Sequence, residues 1–172
     1  MRIDNDTKLD YKDVLIRPKR STLSSRKEVD LQRQFCFRNY RPADTSADAM
    51  HYQGVPIMAS NMDGVGTFVM ADKLAALGLF TCLVKHYPLE QLVAFFNEPN
   101  TQRSSHVAYS MGISQQDFAK FEQFYQQVGN NLQYVCVDVA NGYSERFSEY
   151  IKQLRDGFPN IVIIAGNVVT GE

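Results

Sequence analysis

The sequence predicts an α/β chain that forms part of a (β/α)8 TIM barrel, and three observations carry the prediction. Apolar, strand-like runs begin near Val55, Leu79, His106, Gln133 and Asn160, every 24 to 27 residues, with a helix-period stretch after each of the first four. No GxGxxG follows the first run, which weighs against the competing architecture, a doubly wound dinucleotide fold. The fifth run leads into Asn167-Val168-Val169-Thr170-Gly171-Glu172, where a further helix is expected to open. A whole barrel takes about 250 residues and this chain has 172. The expectation is therefore the first five strands and four helices of a barrel, preceded by an N-terminal arm. Residues 1–52 read as arm and loop, and residues 53–172 as the first part of a single catalytic barrel.

The arm is polar and lacks a helix-period face. Lys12, Arg17, Lys19, Arg20 and Arg26 lie among Ser21, Ser24 and Ser25. That is a solvated basic segment or an anion site, since Arg and Ser together suit phosphate oxygens. Val29-Asp30-Leu31 and Phe35-Cys36-Phe37 are expected to form a strand pair at one end of the barrel, and residues 40–53 a mobile loop.

The first barrel strand, Pro56-Ile57-Met58-Ala59-Ser60, runs into Asn61-Met62-Asp63. The helix after it is expected to bury Met70, Leu74 and Leu77. The second strand, Phe80-Thr81-Cys82-Leu83-Val84, delivers Lys85-His86-Tyr87. The next helix opens at Pro88, a residue suited to a first helical turn, and carries Leu92, Val93, Phe95 and Phe96. The third strand delivers Ser110-Met111-Gly112 to a helix capped by Ser114, with Phe118, Phe121, Tyr125 and Val128 at helical spacing. The fourth, Val135-Cys136-Val137-Asp138-Val139, passes through Ala140-Asn141-Gly142-Tyr143 to a helix capped by Ser144, with Phe147, Tyr150, Ile151 and Leu154 on one side. The fifth, Val162-Ile163-Ile164-Ala165, delivers Gly166-Asn167.

Composition excludes several classes. A net charge of −1 gives no reason to expect a nucleic-acid or membrane partner. No apolar run is long enough for a bilayer, and the first residues lack a signal-peptide pattern. Cys36, Cys82 and Cys136 show no metal-ligand spacing, so no metal site is expected from them. Cys82 and Cys136 read as small core residues of a protein kept in a reducing cytoplasm.

Chemistry is expected at the C-terminal strand ends, where barrels place it. Side chains alternate along a strand. Val135, Val137 and Val139 therefore face the helices, while Cys136 and Asp138 face the other way. One barrel layer draws on alternate strands, so Lys85 of the second and Asp138 of the fourth are expected to share a layer and pair. Such a pair positions a proton relay or a polar substrate, or it is a structural salt bridge. The residues alone leave both readings open.

Five segments carry a resemblance. They are Leu9-Asp10-Tyr11-Lys12-Asp13-Val14-Leu15-Ile16-Arg17-Pro18-Lys19-Arg20-Ser21-Thr22-Leu23, Asn61-Met62-Asp63, Lys85-His86-Tyr87, Asp138-Val139-Ala140-Asn141-Gly142-Tyr143-Ser144-Glu145, and Ala165-Gly166-Asn167-Val168-Val169-Thr170-Gly171-Glu172. In colinear order they resemble the GMP reductases, within the IMP dehydrogenase/GMP reductase family. The dehydrogenase branch is less similar at Lys85-His86-Tyr87 and Asn141-Gly142-Tyr143, and it normally carries an inserted domain that this sequence lacks.

The resemblance implies reduction of GMP to IMP and ammonia with NADPH, in purine nucleotide salvage. A cysteine attacks purine C2, ammonia leaves, and hydride reduces the thioimidate. It implies Lys85 and Asp138 as catalytic residues. Ser25, Arg26, Lys85, Ser110, Asp138, Val139 and Ala140 are implied as the NADPH contacts, with Ser25 and Arg26 reaching the cofactor of a neighbouring subunit in a homotetramer. Asn61, Asp63 and Asn167 would orient the nucleotide substrate.

The sequence departs from the family at Gly64, where Thr is usual, and at the loop of residues 41–51, which is longer than expected. The family's nucleophilic cysteine and its potassium loop would follow Glu172. This polypeptide alone is therefore expected to be inactive, or to persist as a half-barrel associated with itself or with full-length subunits. An IMP dehydrogenase-like oxidoreductase is the nearest enzymatic alternative.

Overall fold

The computed structural model describes residues 7, 9–37, 51–99 and 101–170. The N-terminal signal-peptide reading, most of the expected loop at residues 40–53 and its expected extra length at 41–51 fall outside them. The chain divides into two compact units, Met1–Asp30 and Leu31–Glu172.

In the first unit every described residue is exposed. Its order is local. Asp10 caps the 3-10 turn Tyr11–Asp13 in a reciprocal capping box, and Ser25 caps the turn Arg26–Glu28 by accepting from the Lys27 N–H.

The second unit opens with a hairpin, β1 (Arg33–Cys36) antiparallel to β2 (His51–Gly54). The expected strand pair is thus corrected. Phe35 and Cys36 do lie in a strand, but their partner comes from residues 51–54 and not from Val29-Asp30-Leu31. The end of the expected mobile loop is therefore strand.

Five parallel strands follow: β3 (Met58–Ala59), β4 (Phe80–Cys82), β5 (Val107–Met111), β6 (Tyr134–Asp138) and β7 (Val162–Gly166). They pair strictly in chain order. A doubly wound sheet reverses its order at a switch point. This sheet curls one way, as the first five strands of a (β/α)8 barrel do.

The helices are α1 (Phe68–Ala75), α2 (Leu89–Asn97), α3 (Thr101–His106), α4 (Gln115–Val128) and α5 (Glu145–Gly157). Ser114 and Ser144 are N-caps as the sequence suggests, and Ser114 is closed by Asp117 into a capping box. Pro88 occupies the cap of α2, one position before its first turn. Two expectations need correction. Five helices are described where four were expected, because α3 has no apolar periodicity to announce it. The buried face of α1 is Ala71 and Ala75, while Met70 and Leu77 are exposed. Small residues let that helix lie close on β4.

Alternation along the strands sorts the core into two clusters. The outer face (Val107, Tyr109, Met111, Val135 and Val137) packs on Phe95, Phe96, Phe121, Phe124 and Leu154 of the helices. The inner face carries Phe80, Cys82, Ala108, Tyr134, Cys136 and Val162, joined at its lower end by Tyr52 of the hairpin. Phe80, Tyr134 and Val162 each begin a strand, so the hairpin sits at the N-terminal end of the sheet. An apolar cavity of about 230 Å³ lies there, lined by Phe35, Tyr52, Phe80, Tyr134 and neighbours.

Candidate functional site

The polar residues gather at the opposite end. Asp138 is the last residue of β6, Lys85 lies just past β4, Asn61 just past β3 and Asn167 just past β7. Asn61 Nδ2 donates to Asp138 Oδ2 at 3.0 Å. Lys85 Nζ lies 3.9 Å from the same oxygen, with both side chains about one-third exposed. The layer argument thus gives the observed ion pair. At 3.9 Å the ammonium is held by charge and not by a hydrogen bond, so its donors remain available to a ligand. A pair this solvated contributes under about 1 kcal/mol to stability, which makes it a poor structural staple and a suitable functional group.

Asn61 reaches the carboxylate because the backbone turns sharply after β3. Gly64 has φ of +76°, a conformation glycine adopts without the steric cost that other residues meet. A threonine would be strained there. Gly66 is closed to any side chain. An added Cβ would meet the Cys82 carbonyl oxygen and lie 2.8 Å from the Val84 nitrogen. The close approach allows the Val84 N–H to donate to the Gly66 carbonyl at 2.8 Å, and this tie fixes the strand end that delivers Lys85.

A second set of contacts holds the loops after β6 and β7 together. Asn167 Nδ2 donates to the Val139 carbonyl at 2.9 Å. The Asn167 N–H donates to the same carbonyl and the Val139 N–H to the Gly166 carbonyl. The Tyr143 hydroxyl accepts from the Val169 and Thr170 N–H groups. Val139 therefore has both backbone polar groups committed and its side chain partly packed on the outer core, while Ala140 is exposed. Sequence reasoning assigned no role to Tyr143, and a Tyr in a polar loop gives no signal of clamping chain 26 residues away.

Ser110 lies one layer down, across from Cys136 in register. It is buried and its hydroxyl makes no hydrogen bond of good geometry with the described residues. The Cys136 thiol has its pKa lowered, chiefly by the hydrogen bond it shares with Cys82, against the effect of burial. Cys82 is pushed up correspondingly. Asp63 is exposed beside Asn61. Ser25 and Arg26 belong to the first unit, where with Ser21, Leu23, Ser24 and Val29 they line a shallow concavity. The structure thus gathers Lys85, Asp138 and Asn61 at one carboxylate and Asn167 with Val139 at the adjoining loop. Among the described residues no three His, Cys, Asp or Glu side chains converge on a point that could hold a metal, and no helix is long and apolar enough to cross a membrane.

Comparison with known proteins places this geometry. The sequence model of the IMP dehydrogenase / GMP reductase domain matches residues 8–172. The chain belongs to the IMP dehydrogenase/GMP reductase family. It is 52% identical to GMP reductase 2 of Bos taurus over 170 residues, covering 99% of this chain and 46% of that protein. It is 49% identical to the GMP reductase of Serratia proteamaculans, over 100% of this chain and 47% of that one. The chain thus spans about half the length of these curated relatives. Among solved structures, inosine 5′-monophosphate dehydrogenase from Legionella pneumophila superposes with a TM-score of 0.58 at 24% identity, covering 67% of this chain and 34% of that one. That likeness shows the partial barrel. Within this family fold, Lys85, Asp138, Asn61 and Asn167 occupy the C-terminal strand ends, the face on which barrel enzymes carry their chemistry.

Proposed function

We propose that this chain carries the cofactor-facing half of a GMP reductase, which converts GMP to IMP and ammonia with NADPH in purine nucleotide salvage. The observation that carries the reading is the Lys85–Asp138–Asn61 cluster at the strand ends of a chain about half identical, over nearly its whole length, to proteins named GMP reductase. The residues present suit a dinucleotide. Lys85 offers a cation with unused donors, Asp138 a fixed carboxylate, and Ser110 a buried hydroxyl without a well-formed partner. Lys85, Ser110 and the Asp138-Val139-Ala140 run would hold NADPH, with Ser25 and Arg26 contributing from a neighbouring subunit of a homotetramer. When bound, NADPH supplies the hydride that reduces purine C2 after a cysteine past Glu172 has displaced ammonia.

The described side chains have the remaining tasks. Asn61 fixes the rotamer of Asp138 by donating to one of its oxygens. Asp138 keeps the Lys85 ammonium at the mouth of the barrel, where it serves as a proton donor near the departing amine. Asp63 and Asn167 orient the nucleotide at the rim, with the Asn167 side-chain N–H groups partly used on Val139. The family's potassium loop would likewise lie past Glu172. The expected compartment is the cytoplasm.

Titrating the chain with NADPH and NADH by nicotinamide fluorescence, and displacing bound NADPH with NAD+, tests the reading. Saturable binding with NADPH tightest, weakened tenfold or more (about 1.4 kcal/mol) in Lys85→Met, is expected. A preference for NAD+, or binding indifferent to Lys85→Met, would sink it.

A further inference from the structure

Asn141 and Gly142 form the only Asn-Gly dipeptide in the sequence, and they lie in the loop between β6 and α5. Asparagine followed by glycine is the pair most prone to spontaneous deamidation, because glycine has no side chain to shield its nitrogen from the preceding amide. Asn141 is exposed. Its Oδ1 accepts from the Tyr143 N–H at 3.0 Å, the turn that an asparagine side chain makes with backbone two residues on. That hydrogen bond also polarises the side-chain carbonyl and would stabilise negative charge developing on its oxygen. The electrophile is therefore prepared.

The nucleophile is locked. The Gly142 N–H donates to the Asn167 carbonyl at 2.9 Å, so its proton is committed and its nitrogen is held against the loop after β7. Asn167 is itself tied to Val139 through its backbone and side-chain N–H groups. The Tyr143 hydroxyl closes the clamp by accepting from Val169 and Thr170 at 2.5 and 2.6 Å. The fold cannot remove the liability at Gly142. A Cβ there would lie 2.8 Å from the Asn167 oxygen and from Val168 Cγ1, closer than real Cβ contacts come. The loop keeps the reactive dipeptide and restrains it instead.

We infer that Asn141-Gly142 is a deamidation site restrained by the Tyr143 clamp. When the loop opens, the Gly142 nitrogen attacks Asn141 Cγ. An N–Cγ bond forms, the Cγ–Nδ2 bond breaks, and the departing amide leaves as ammonia with the Gly142 proton. Water then opens the resulting succinimide at either carbonyl, giving aspartate or isoaspartate at position 141 with no change of oxidation state. The aspartate product keeps the acceptor for Tyr143 and adds a negative charge close to Asp138. The isoaspartate product adds a carbon to the backbone and breaks the register of Gly142 with Asn167. Either product opposes an anionic ligand on the Asp138-Val139-Ala140 run. That consequence rests on the nucleotide reading above, whereas the modification does not.

The test incubates the whole chain at mildly alkaline pH, folded and in guanidinium, and follows residue 141 by peptide mass spectrometry with isoaspartate detection. Asn141 should be the fastest asparagine to convert in guanidinium and roughly tenfold slower when folded, an opening free energy of about 1.4 kcal/mol. Tyr143→Phe should raise the folded rate several-fold and leave the denatured rate unchanged. Hydrogen exchange of the Gly142 amide should rise in step, because both reactions need the same N–H released. Equal rates in the two states, or a folded rate indifferent to Tyr143→Phe, would overturn the restraint, and no conversion in guanidinium would overturn the site. The comparison of folded and denatured parent needs no variant, so it decides the matter even if Tyr143→Phe fails to fold. For the consequence, Asn141→Asp should weaken NADPH binding about threefold at low salt, with the loss shrinking as salt rises. Binding equal to the parent's at low salt would overturn that consequence. A parent chain that binds no NADPH fails the nucleotide reading and leaves the deamidation result standing.

Discussion

Arg103 shows how one residue can organise several elements. It is 7% exposed. Its guanidinium donates to both oxygens of Asp72 on α1, at 2.6 and 3.0 Å, to the Phe95 carbonyl of α2, and to Glu98 just after it. It also lies 4.1 Å above the Phe95 ring. Burial opposes its charge and the two carboxylates restore it, with the pKa raised on balance. Arg103→Met should remove about 2–3 kcal/mol, because it leaves the Phe95 carbonyl without this partner and Asp72 without its cation. Arg103→Lys should recover only part of that, since an ammonium cannot reproduce the planar fork. The shift of the urea midpoint measures both. Gly66 makes a second prediction at this scale. Gly66→Ala forces a Cβ against the backbone of β4, where overpacking costs about 1–3 kcal/mol. It should also weaken nucleotide binding by displacing Lys85, which the NADPH titration would record. A Gly66→Ala protein as stable as its parent would refute the close approach.

At the scale of elements, the legible parts of the sequence were those in which local pattern and tertiary role coincide. Parallel strands buried on both faces are short apolar runs, and Val107-Ala108-Tyr109 and Val135-Cys136-Val137 announce β5 and β6. Ser114 and Ser144 announce two helix starts because a cap is a local hydrogen bond. The partner of β1 was not legible, because pairing Phe35 with Tyr52 depends on distant chain. Nor was α3, whose six residues hold no apolar stripe and whose anchor, Arg103, reads in sequence as a surface charge. In the site, the Lys85–Asp138 pairing followed from barrel layers, whereas the bond from Asn61 to Asp138 needed the turn geometry at Gly64.

The helix layer also carries a titration. Tyr109 on β5 and Tyr150 on α5 are buried, and desolvation raises both phenols above their ordinary value near 10. A raised folded pKa means the folded state holds its protons longer. The stabilisation is therefore complete below about pH 10 and is lost as pH rises through the folded values. Alkaline unfolding followed by circular dichroism should begin above about pH 10, and Tyr150→Phe should flatten that limb. Since the Tyr150 hydroxyl is buried and has no hydrogen-bond partner among the described residues, the same variant should be as stable as the parent or slightly more so at pH 7. A clear loss at neutral pH would show that the hydroxyl is used.

Across the whole molecule, stability is distributed unevenly, and the unevenness bears on function. β5 and β6 are paired on both sides and almost wholly buried. Their amides should exchange only through global unfolding and be the slowest in the chain. The two residues of β3 are largely open and should exchange early, although the turn that follows them carries Asn61. In the first unit, Tyr11, Leu15 and Ile16 are each more than 90% exposed, and the order present rests on two capped 3-10 turns. Burial there contributes little, so its local opening free energy should lie near zero in an isolated chain. Trypsin should cut first among Lys12, Lys19, Arg20, Arg26 and Lys27 and leave a resistant body that begins close to β1. If Ser25 and Arg26 reach a neighbouring subunit's cofactor, as proposed, cleavage at Arg26 should slow as protein concentration rises and slow further with NADPH. Cleavage at Lys152 on α5, which ligand and partner do not cover in this proposal, should stay unchanged under the same conditions. A cleavage rate at Arg26 that ignores both concentration and nucleotide would remove the arm from the site while leaving the Lys85–Asp138 cluster intact.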